Sequence, residues 1–382
     1  EARSPDGKRA VFIRDWNLWL RDLSTNRETQ LTRDGVSDFG YATDNAGWRF
    51  SDRPVVKWSP DSRRVATFQM DQRGVGEMYL VDTSVGRPTL QAWKYPLPGD
   101  KVVAMLERVI IDVEKKSTVR LKMRADQHRS TVCDDVICGN DWVDVQWRPD
   151  GSELAFVSSS RDHKTATFRL ANATTGVVRD VMSEHVDTFY ESGNGRANWR
   201  YLPDTKEIIW FSRRDNWGHL YLYDASSGQM KRQMTSGEGN VTQLLHVDEA
   251  SRVLYFVGVG KEPRRDPYFR HLYRVGMDGQ GLRLLTPENA DHDVSLERTG
   301  AFFVDVFSKP DVPPVAVLRS TRDGSDELRL ETADISRLVA AGWKPPQPFT
   351  VKARDAVTDL YGLLYTPLAF DPSAKYPIVN NV

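Results

Sequence analysis

One unit recurs along the chain and constrains its fold more than any other feature. A turn of the Ser-Pro-Asp-Gly-Lys type precedes a short apolar strand, an alternating strand and a second turn of small residues. Clear copies of the turn contain Ser4, Ser59, Pro149 and Pro203, and two weaker copies of the unit begin at Val253 and Ala301. Repeats of about 40–50 residues that each supply four strands are typical of β-propeller blades. Because one blade cannot bury both of its faces, the repeats must stack against one another.

The sequence therefore predicts an all-β fold, a β-propeller of four-stranded antiparallel blades over residues 1–342. Six units can be counted, and we expect eight blades in the intact protein, with N-terminal sequence missing. Within the second unit, the pair of apolar segments in Val102–Met123 suggests an extended hairpin that projects from one face.

A helix is predicted at Ala333–Ala341, where apolar residues recur at helical spacing before Gly342 and two prolines. This stretch marks the expected end of the propeller. Residues 343–382 are predicted to form a linker, a new hairpin and a buried strand that begins at Lys375. The unfinished strand suggests that a second domain starts here and is truncated.

Composition and motifs exclude several functions. The chain has 52 Lys and Arg against 53 Asp and Glu, so it lacks the basic excess that nucleic-acid binding requires. No apolar run is long enough to span a bilayer. The chain contains no Gly-x-Ser-x-Gly elbow and no His-Glu-x-x-His motif. We therefore predict no catalytic residue, metal or cofactor in this chain, and we interpret His219 and His271 as structural residues of matching blades.

The two cysteines do not decide in which cellular compartment the protein works. Cys133 and Cys138 are the only two in the chain, and they could close a small disulfide across a turn. Two reduced thiols in a cytosolic protein are the alternative. A disulfide would indicate an oxidising compartment, either the periplasm or the cell exterior.

Three segments resemble the dipeptidyl peptidase IV branch of the prolyl oligopeptidase family. They are the Trp58-Ser-Pro-Asp unit after an Asp-Phe-x-Tyr segment, the Trp217–Tyr221 strand, and the tail Leu364-Tyr365-x-Pro367 with Lys375-Tyr376-Pro377. The resemblance covers nearly the whole chain. It implies that the tail enters an α/β-hydrolase domain and that the nucleophilic Ser, the Asp and the His lie beyond residue 382.

The resemblance also implies a role for the chain. We expect the substrate-gating and substrate-recognition propeller of a periplasmic or secreted serine peptidase. Its partners would be a peptide substrate, its own downstream hydrolase domain and, in a homodimer, a second copy that contacts the Val102–Met123 hairpin.

In that family, a Glu pair in a motif resembling Asp-Trp-x-Tyr-Glu-Glu-Glu binds the α-amino group of the substrate. Phe39 and Tyr41 fit the frame of this motif, Thr43 and Asp44 take the positions of the Glu pair, and Asn45 follows. A single, shorter carboxylate should hold an ammonium group less tightly, by roughly 1–3 kcal/mol for a lost charge-assisted bond. We also expect a second segment, with Tyr190 and Glu191, to face the substrate.

Two alternatives to a dipeptide-releasing peptidase remain. Loss of the Glu pair fits a peptidase for constrained substrates, such as a lasso-peptide isopeptidase, in which no free N-terminus needs to be recognised. A non-enzymatic periplasmic binding propeller is the other alternative, because propellers host many unrelated functions.

Overall fold

The computed structural model describes residues 1–43, 53–128, 137–138, 141–190 and 198–381, and for residues 137, 138 and 141 it describes only the backbone. The chain divides into two compact units. The first comprises residues 1–216 and 220–233, and the second comprises residues 217–219 and 234–382.

The Ser-Pro-Asp-Gly turns are held by their own side chains. The Ser4 hydroxyl donates to the Asp6 carboxylate at 2.6 Å, and that carboxylate accepts a hydrogen bond from the Lys8 amide at 3.0 Å. The Ser59 hydroxyl donates to Asp61 in the same way at 2.6 Å. Gly7 has a φ of +70°, a conformation that glycine adopts without strain. These local bonds explain why the Ser-Pro-Asp turn is used before the strands of the first two blades.

In the part of the chain that the structure describes, six antiparallel sheets of four or more strands follow one another. Five of these sheets are four-stranded meanders, in which each strand pairs with the next along the chain. The second sheet is the exception and has six strands. The first sheet contains β1 (Ala2–Arg3), β2 (Arg9–Arg14), β3 (Asn17–Asp22) and β4 (Glu28–Gln30). The second contains β5 (Phe39–Tyr41), β6 (Lys57–Trp58), β7 (Arg64–Asp71), β10 (Met105–Asp112), β11 (Ser117–Arg120) and β12 (Asp126–Gln127).

The remaining strands complete the series. A separate hairpin is formed by β8 (Glu77–Asp82) and β9 (Thr89–Lys94), and a short one by β13 (Ile137–Cys138) and β14 (Asp141–Trp142). The third sheet contains β15 (Val145–Trp147), β16 (Glu153–Ser159), β17 (Thr165–Asn172) and β18 (Val178–His185). The fourth contains β19 (Arg200–Leu202), β20 (Glu207–Ser212), β21 (His219–Asp224) and β22 (Met230–Gln233).

The fifth sheet contains β23 (Asn240–Asp248), β24 (Val253–Val259), β25 (His271–Gly276) and β26 (Arg283–Leu284). The sixth contains β27 (Asp291–Leu296), β28 (Phe302–Lys309), β29 (Val312–Ser320) and β30 (Asp326–Thr332). The last elements are α1 (Ser336–Ala340) and a hairpin of β31 (Gln347–Lys352) and β32 (Asp359–Leu364). The predicted all-β fold with four-stranded antiparallel blades is confirmed.

The inner strands of the blades form the hydrophobic core. All six residues of β20 are buried, and β7 is buried at every position except its two ends. Strands that are buried on both faces are continuously apolar rather than alternating. The cores of the described part therefore lie between sheets, as stacked blades require.

The predicted hairpin in Val102–Met123 forms, with β10 paired to β11, but the prediction that it projects is wrong. Strand β10 does not project but pairs with β7 along its whole length, from Met105 opposite Asp71 to Asp112 opposite Arg64. Its residues from Arg108 to Asp112 are all buried. The projecting hairpin is β8–β9, in which Tyr79, Leu80 and Val81 are exposed. Both β8–β9 and β10–β11 have the sequence of a hairpin, and only the pairing of β10 with β7 distinguishes them.

Of the three elements predicted for the C-terminal part, the helix and the hairpin are present and the last strand is not. The helix lies within the predicted stretch, and the expected hairpin is present as β31–β32. The strand predicted to begin at Lys375 is not formed: residues 375–381 carry no assigned secondary structure, and Ile378 and Val379 are exposed. A strand needs a paired neighbour for its backbone groups, and no described residue pairs with this segment.

Candidate recognition site

Strand β5 carries the segment that the sequence marks for recognition. It pairs with β7, with Phe39 opposite Asp71 and Tyr41 opposite Gln69. The residues on either side of it, Asp38 and Ala42, have φ values of +62° and +54°. Such values are uncommon outside glycine and cost about 1–3 kcal/mol each, so they persist where the surroundings enforce them.

Hydrogen bonds enforce this conformation at both ends of β5. The Gln72 amide donates to the Asp38 carbonyl at 2.7 Å, and the Ala42 amide donates to the Phe68 carbonyl at 2.9 Å. The Val55 amide donates to the Ala42 carbonyl at 2.9 Å. The backbone of the segment is thus fixed before any ligand is present.

Tyr41 supports the segment from beneath. Only 1 % of the residue is exposed, and its hydroxyl donates to Asp34 at 2.7 Å while accepting from Arg120 at 3.1 Å. Arg120 also donates to Asp34 at 2.9 Å and to Gln69 at 2.6 Å. Burial, followed by the bond to Asp34, raises the pKa of Tyr41 well above its ordinary value, so the phenol stays neutral. Tyr41 therefore positions the strand rather than offering a surface.

Charged groups beside β5 are arranged in pairs. The Arg73 guanidinium lies 4.1 Å from the centre of the Phe39 ring and donates to Asp71 at 2.9 and 2.8 Å. The side-chain bond from Arg73 lowers the pKa of Asp71 below its ordinary value. Lys94 lies 3.9 Å from the Asp38 carboxylate and 3.6 Å from that of Glu77. These pairs leave the Phe39 ring between neutralised charges.

Thr43 is buried, and its methyl group lies close to Gly40. A methyl group placed on Gly40 would come within 3.1 Å of Thr43 Cγ2 and 3.3 Å of Trp16 Cβ and Cδ1. Glycine at position 40 thus allows the Thr43 and Trp16 side chains to approach each other over the strand. Asp44 and Asn45 lie outside the described residues.

The second predicted segment behaves differently. Tyr190 is buried, packs in the core shared by the third and fourth sheets, and has its ring 6.0 Å from that of Trp210. Tyr41 belongs to another core cluster, between the first and second sheets. Among the described residues, the structure does not bring Tyr190 together with the β5 segment. Glu191 and Cys133 lie outside the described residues, and Cys138 is described only as part of the β13 backbone.

Three residues of this site were missed in the sequence. Asp34 and Arg120 bind Tyr41, and Trp16 lies beside Thr43. Arg120 is 79 residues from Tyr41, so no local pattern connects them. Trp16 does carry a signal, because it occupies a two-residue turn between two strands, where glycine or asparagine is preferred.

His219 and His271 begin matching strands and are both buried. His219 Nδ1 lies 3.1 Å from the Thr235 hydroxyl, and its Nε2 lies 2.9 Å from the Gly237 carbonyl. His271 Nδ1 lies 3.3 Å from the Thr286 carbonyl. Asn17 begins β3 in the same manner and bonds to Thr32 at 3.1 Å. The two histidines thus occupy a repeated structural position that joins the third strand of a blade to the end of the fourth.

One cluster in the described residues has the composition of a metal site. Possible ligand atoms of Glu288, His292 and Asp305 lie within 4.8 Å of one another. The Arg319 guanidinium already contacts this cluster, at 3.0 Å from Asp305 and 2.7 Å from Glu288. A resident guanidinium supplies the positive charge that a metal ion would bring, so the cluster is a buried ion network.

Comparisons with known proteins are consistent with this architecture. The model of the dipeptidyl peptidase IV N-terminal region matches residues 1–314. The chain is 26 % identical over 413 residues to a probable dipeptidyl-aminopeptidase B of Neosartorya fischeri, covering 98 % of this chain and 42 % of that protein. It is also 26 % identical over 417 residues to dipeptidyl-aminopeptidase B of Aspergillus niger, covering 98 % of this chain and 43 % of that protein.

The chain thus spans less than half the length of these curated relatives. In fold it is similar to Porphyromonas gingivalis dipeptidyl peptidase 4, with a TM-score of 0.78 and 21 % identity, covering 98 % of this chain and 51 % of that one. No helix in the described part of the chain has the length and apolarity to cross a membrane. Because the family model matches most of its length, this chain belongs to the family of the dipeptidyl peptidase IV N-terminal region.

Proposed function

We propose that this chain is the substrate-recognising propeller of a serine peptidase that acts on peptides. The observation that carries the proposal is the β5 segment, whose sequence resembles the family's recognition motif and whose strained ends are fixed by backbone hydrogen bonds. The bonds of the Tyr41 hydroxyl to Asp34 and Arg120 support it. Strained, over-determined backbone is found preferentially at ligand sites. The catalytic Ser, Asp and His would lie in a hydrolase domain outside residues 1–382, and the protein would work in the periplasm or outside the cell.

Asp44 is the group that would hold the α-ammonium of a linear substrate. The test uses the protein as its gene encodes it, with an Ala-Pro p-nitroanilide substrate that has either a free or an acetylated N-terminus. We expect hydrolysis of the free substrate, and Asp44→Ala should lower kcat/KM for this substrate by roughly 10-fold, the loss of one charge-assisted bond. Tyr273→Phe, a buried hydroxyl deletion in the second unit, serves as the control and should leave kcat/KM unchanged. Absence of peptidase activity on any peptide would contradict the proposal.

A peptidase for constrained peptides is the second candidate, and the sequence at the Glu-pair position favours it. Thr43 offers no charge, and its side chain is buried against Gly40. An enzyme of this class would cleave an isopeptide-bonded ring peptide. It would also lack a preference for the free over the acetylated linear substrate. A binding propeller without catalysis would bind both substrates and cleave neither.

Self-association is proposed at the β8–β9 hairpin in place of the segment inferred from the sequence. Tyr79, Leu80 and Val81 are exposed there, and within the described residues the two strands pair with each other alone. A mass measurement on the protein in solution tests this proposal. A dimer that becomes monomeric with Leu80→Glu would support it, and a wild-type monomer would overturn it.

A further inference from the structure

The tightest turn beside the candidate site carries a tryptophan where a small residue is expected. Strands β2 and β3 pair as far as Arg14 opposite Asn17, which leaves Asp15 and Trp16 as a two-residue turn. Their φ values are +47° and +60°. Turns with two positive φ values favour Asn-Gly or Asp-Gly, and a bulky residue at such a φ is a true outlier. The turn therefore holds an indole at a position where the backbone favours a small residue.

Backbone contacts join this turn to β5. The Tyr41 amide donates to the Trp16 carbonyl at 2.9 Å. Gly35 packs against the same carbonyl so closely that a Cβ there would collide with it. The Cβ and the indole Cδ1 of Trp16 lie against Gly40, as the Thr43 methyl group does. Position 16 is thus fixed to the recognition segment as well as to the β2–β3 hairpin of its own blade.

The Trp16 side chain is partly exposed to solvent, although the backbone of this residue is fixed by contacts with β5. Trp16 is 44 % exposed, the highest exposure of any tryptophan in the described part of the chain. Within that part, no aromatic ring or cation stacks on it. The basic groups around β5, which are Arg73, Lys94 and Arg120, are all paired with carboxylates. The indole therefore presents an apolar face beside neutralised charges.

We propose that Trp16 is a specificity-determining residue that packs against an apolar side chain of the substrate's first residue. This inference rests on the proposed function, because it takes the β5 segment to be the place where the peptide N-terminus lies. Contacts between aromatic rings add discrimination beyond the area they bury, which here corresponds to roughly a three- to tenfold preference. A substrate with phenylalanine in first position should thus be preferred over one with serine.

The test compares Phe-Pro and Ser-Pro p-nitroanilides with the protein as its gene encodes it, and measures binding of the corresponding dipeptide amides by calorimetry. Trp16→Gly creates an Asp-Gly turn, which fits positive φ better than tryptophan does. We expect this variant to keep or raise the melting temperature while its preference for Phe-Pro over Ser-Pro falls to near one. A purely structural tryptophan would instead lose stability on substitution.

Lys116→Gly is the matched control, because Lys116 occupies another turn of the first unit with a φ of +56°. It should change stability in the same direction and leave the preference for Phe-Pro intact. A wild-type protein without the preference, or a Trp16→Gly variant that retains it, would overturn the role of Trp16 alone. A wild-type protein that neither cleaves nor binds any of these peptides would overturn the proposed function as well.

Discussion

The β5 segment and the Arg319 cluster both have charged side chains around them, and they differ in whether backbone strain and an exposed aromatic ring accompany those charges. Around β5, backbone strain is retained at Asp38 and Ala42 and an aromatic side chain stays exposed at Trp16. In the cluster, Arg319 is 1 % exposed and Asp305 is fully buried, and the guanidinium is shared among the carboxylates of Asp305, Glu288 and Asp326. A dense group of titratable residues thus marks a structural ion network here, whereas strain combined with exposure marks the candidate binding surface.

The largest expected effect is a loss of folding stability on substitution in the Arg319 cluster. Arg319→Ala leaves the buried Asp305 carboxylate without its guanidinium, and we expect the free energy of unfolding to fall by about 3–5 kcal/mol. Urea unfolding of the variant measures this loss. Arg270→Ala removes an exposed pair with Asp291 and should cost less than about 1 kcal/mol. Equal losses in the two variants would contradict the assignment of Arg319 to a buried network.

A smaller effect concerns pH. Burial, with a contribution from the neighbouring His292, lowers the pKa of His271 to about 4 from 6.5. Between these two pH values the unfolded chain binds a proton that the folded chain does not, so stability falls as the pH drops through this window. Burial lowers the pKa of His128 to about 4 as well, and it should contribute in the same sense. Thermal unfolding between pH 4 and 7 measures the decline.

His271→Asn separates this contribution from that of His128. Asparagine already occupies the matching position in the first blade, as Asn17, where it bonds to Thr32 and Gly35. The variant should therefore fold, and its stability should decline less steeply between pH 6.5 and 4. A pH profile identical to that of the wild type would show that His271 does not contribute.

The smallest effect on stability belongs to the candidate site, and it should be accompanied by a functional one. Tyr41→Phe removes the hydroxyl bonds to Asp34 and Arg120, which remain paired with each other, so we expect a loss of about 1 kcal/mol. Because Tyr41 positions β5, kcat/KM for a cleaved peptide should fall as well. Tyr273→Phe removes a hydroxyl bond to Glu262 at 3.0 Å and should cost similar stability with no kinetic change.

The blades could be predicted from the sequence because their signals are local. Ser4 and Asp6, like Ser59 and Asp61, bond to each other within three residues and mark the start of the first two units. Long-range pairing has no such signal, which is why β10 was mistaken for a projecting hairpin. Its partner β7 lies some 40 residues earlier in the chain, on the far side of the β8–β9 hairpin.

The candidate site was predictable only in part for the same reason. Phe39, Tyr41 and Thr43 follow from a motif within one segment, whereas Arg120 reaches Tyr41 through the fold. The sequence could not show whether Tyr190 faces the substrate or packs in the core, because an aromatic residue at the end of a segment fits both positions. The structure places it in a core cluster.

Under the proposed function, the β5 segment contacts the substrate while the Arg319 cluster does not. Hydrogen exchange on the protein as its gene encodes it, with and without an Ala-Pro boronic acid that captures a serine nucleophile, compares the two regions in one experiment. With the inhibitor bound, we expect slower amide exchange in residues 14–17 and 38–45 and unchanged exchange in residues 288–305. Bound inhibitor without protection of residues 38–45 would contradict it.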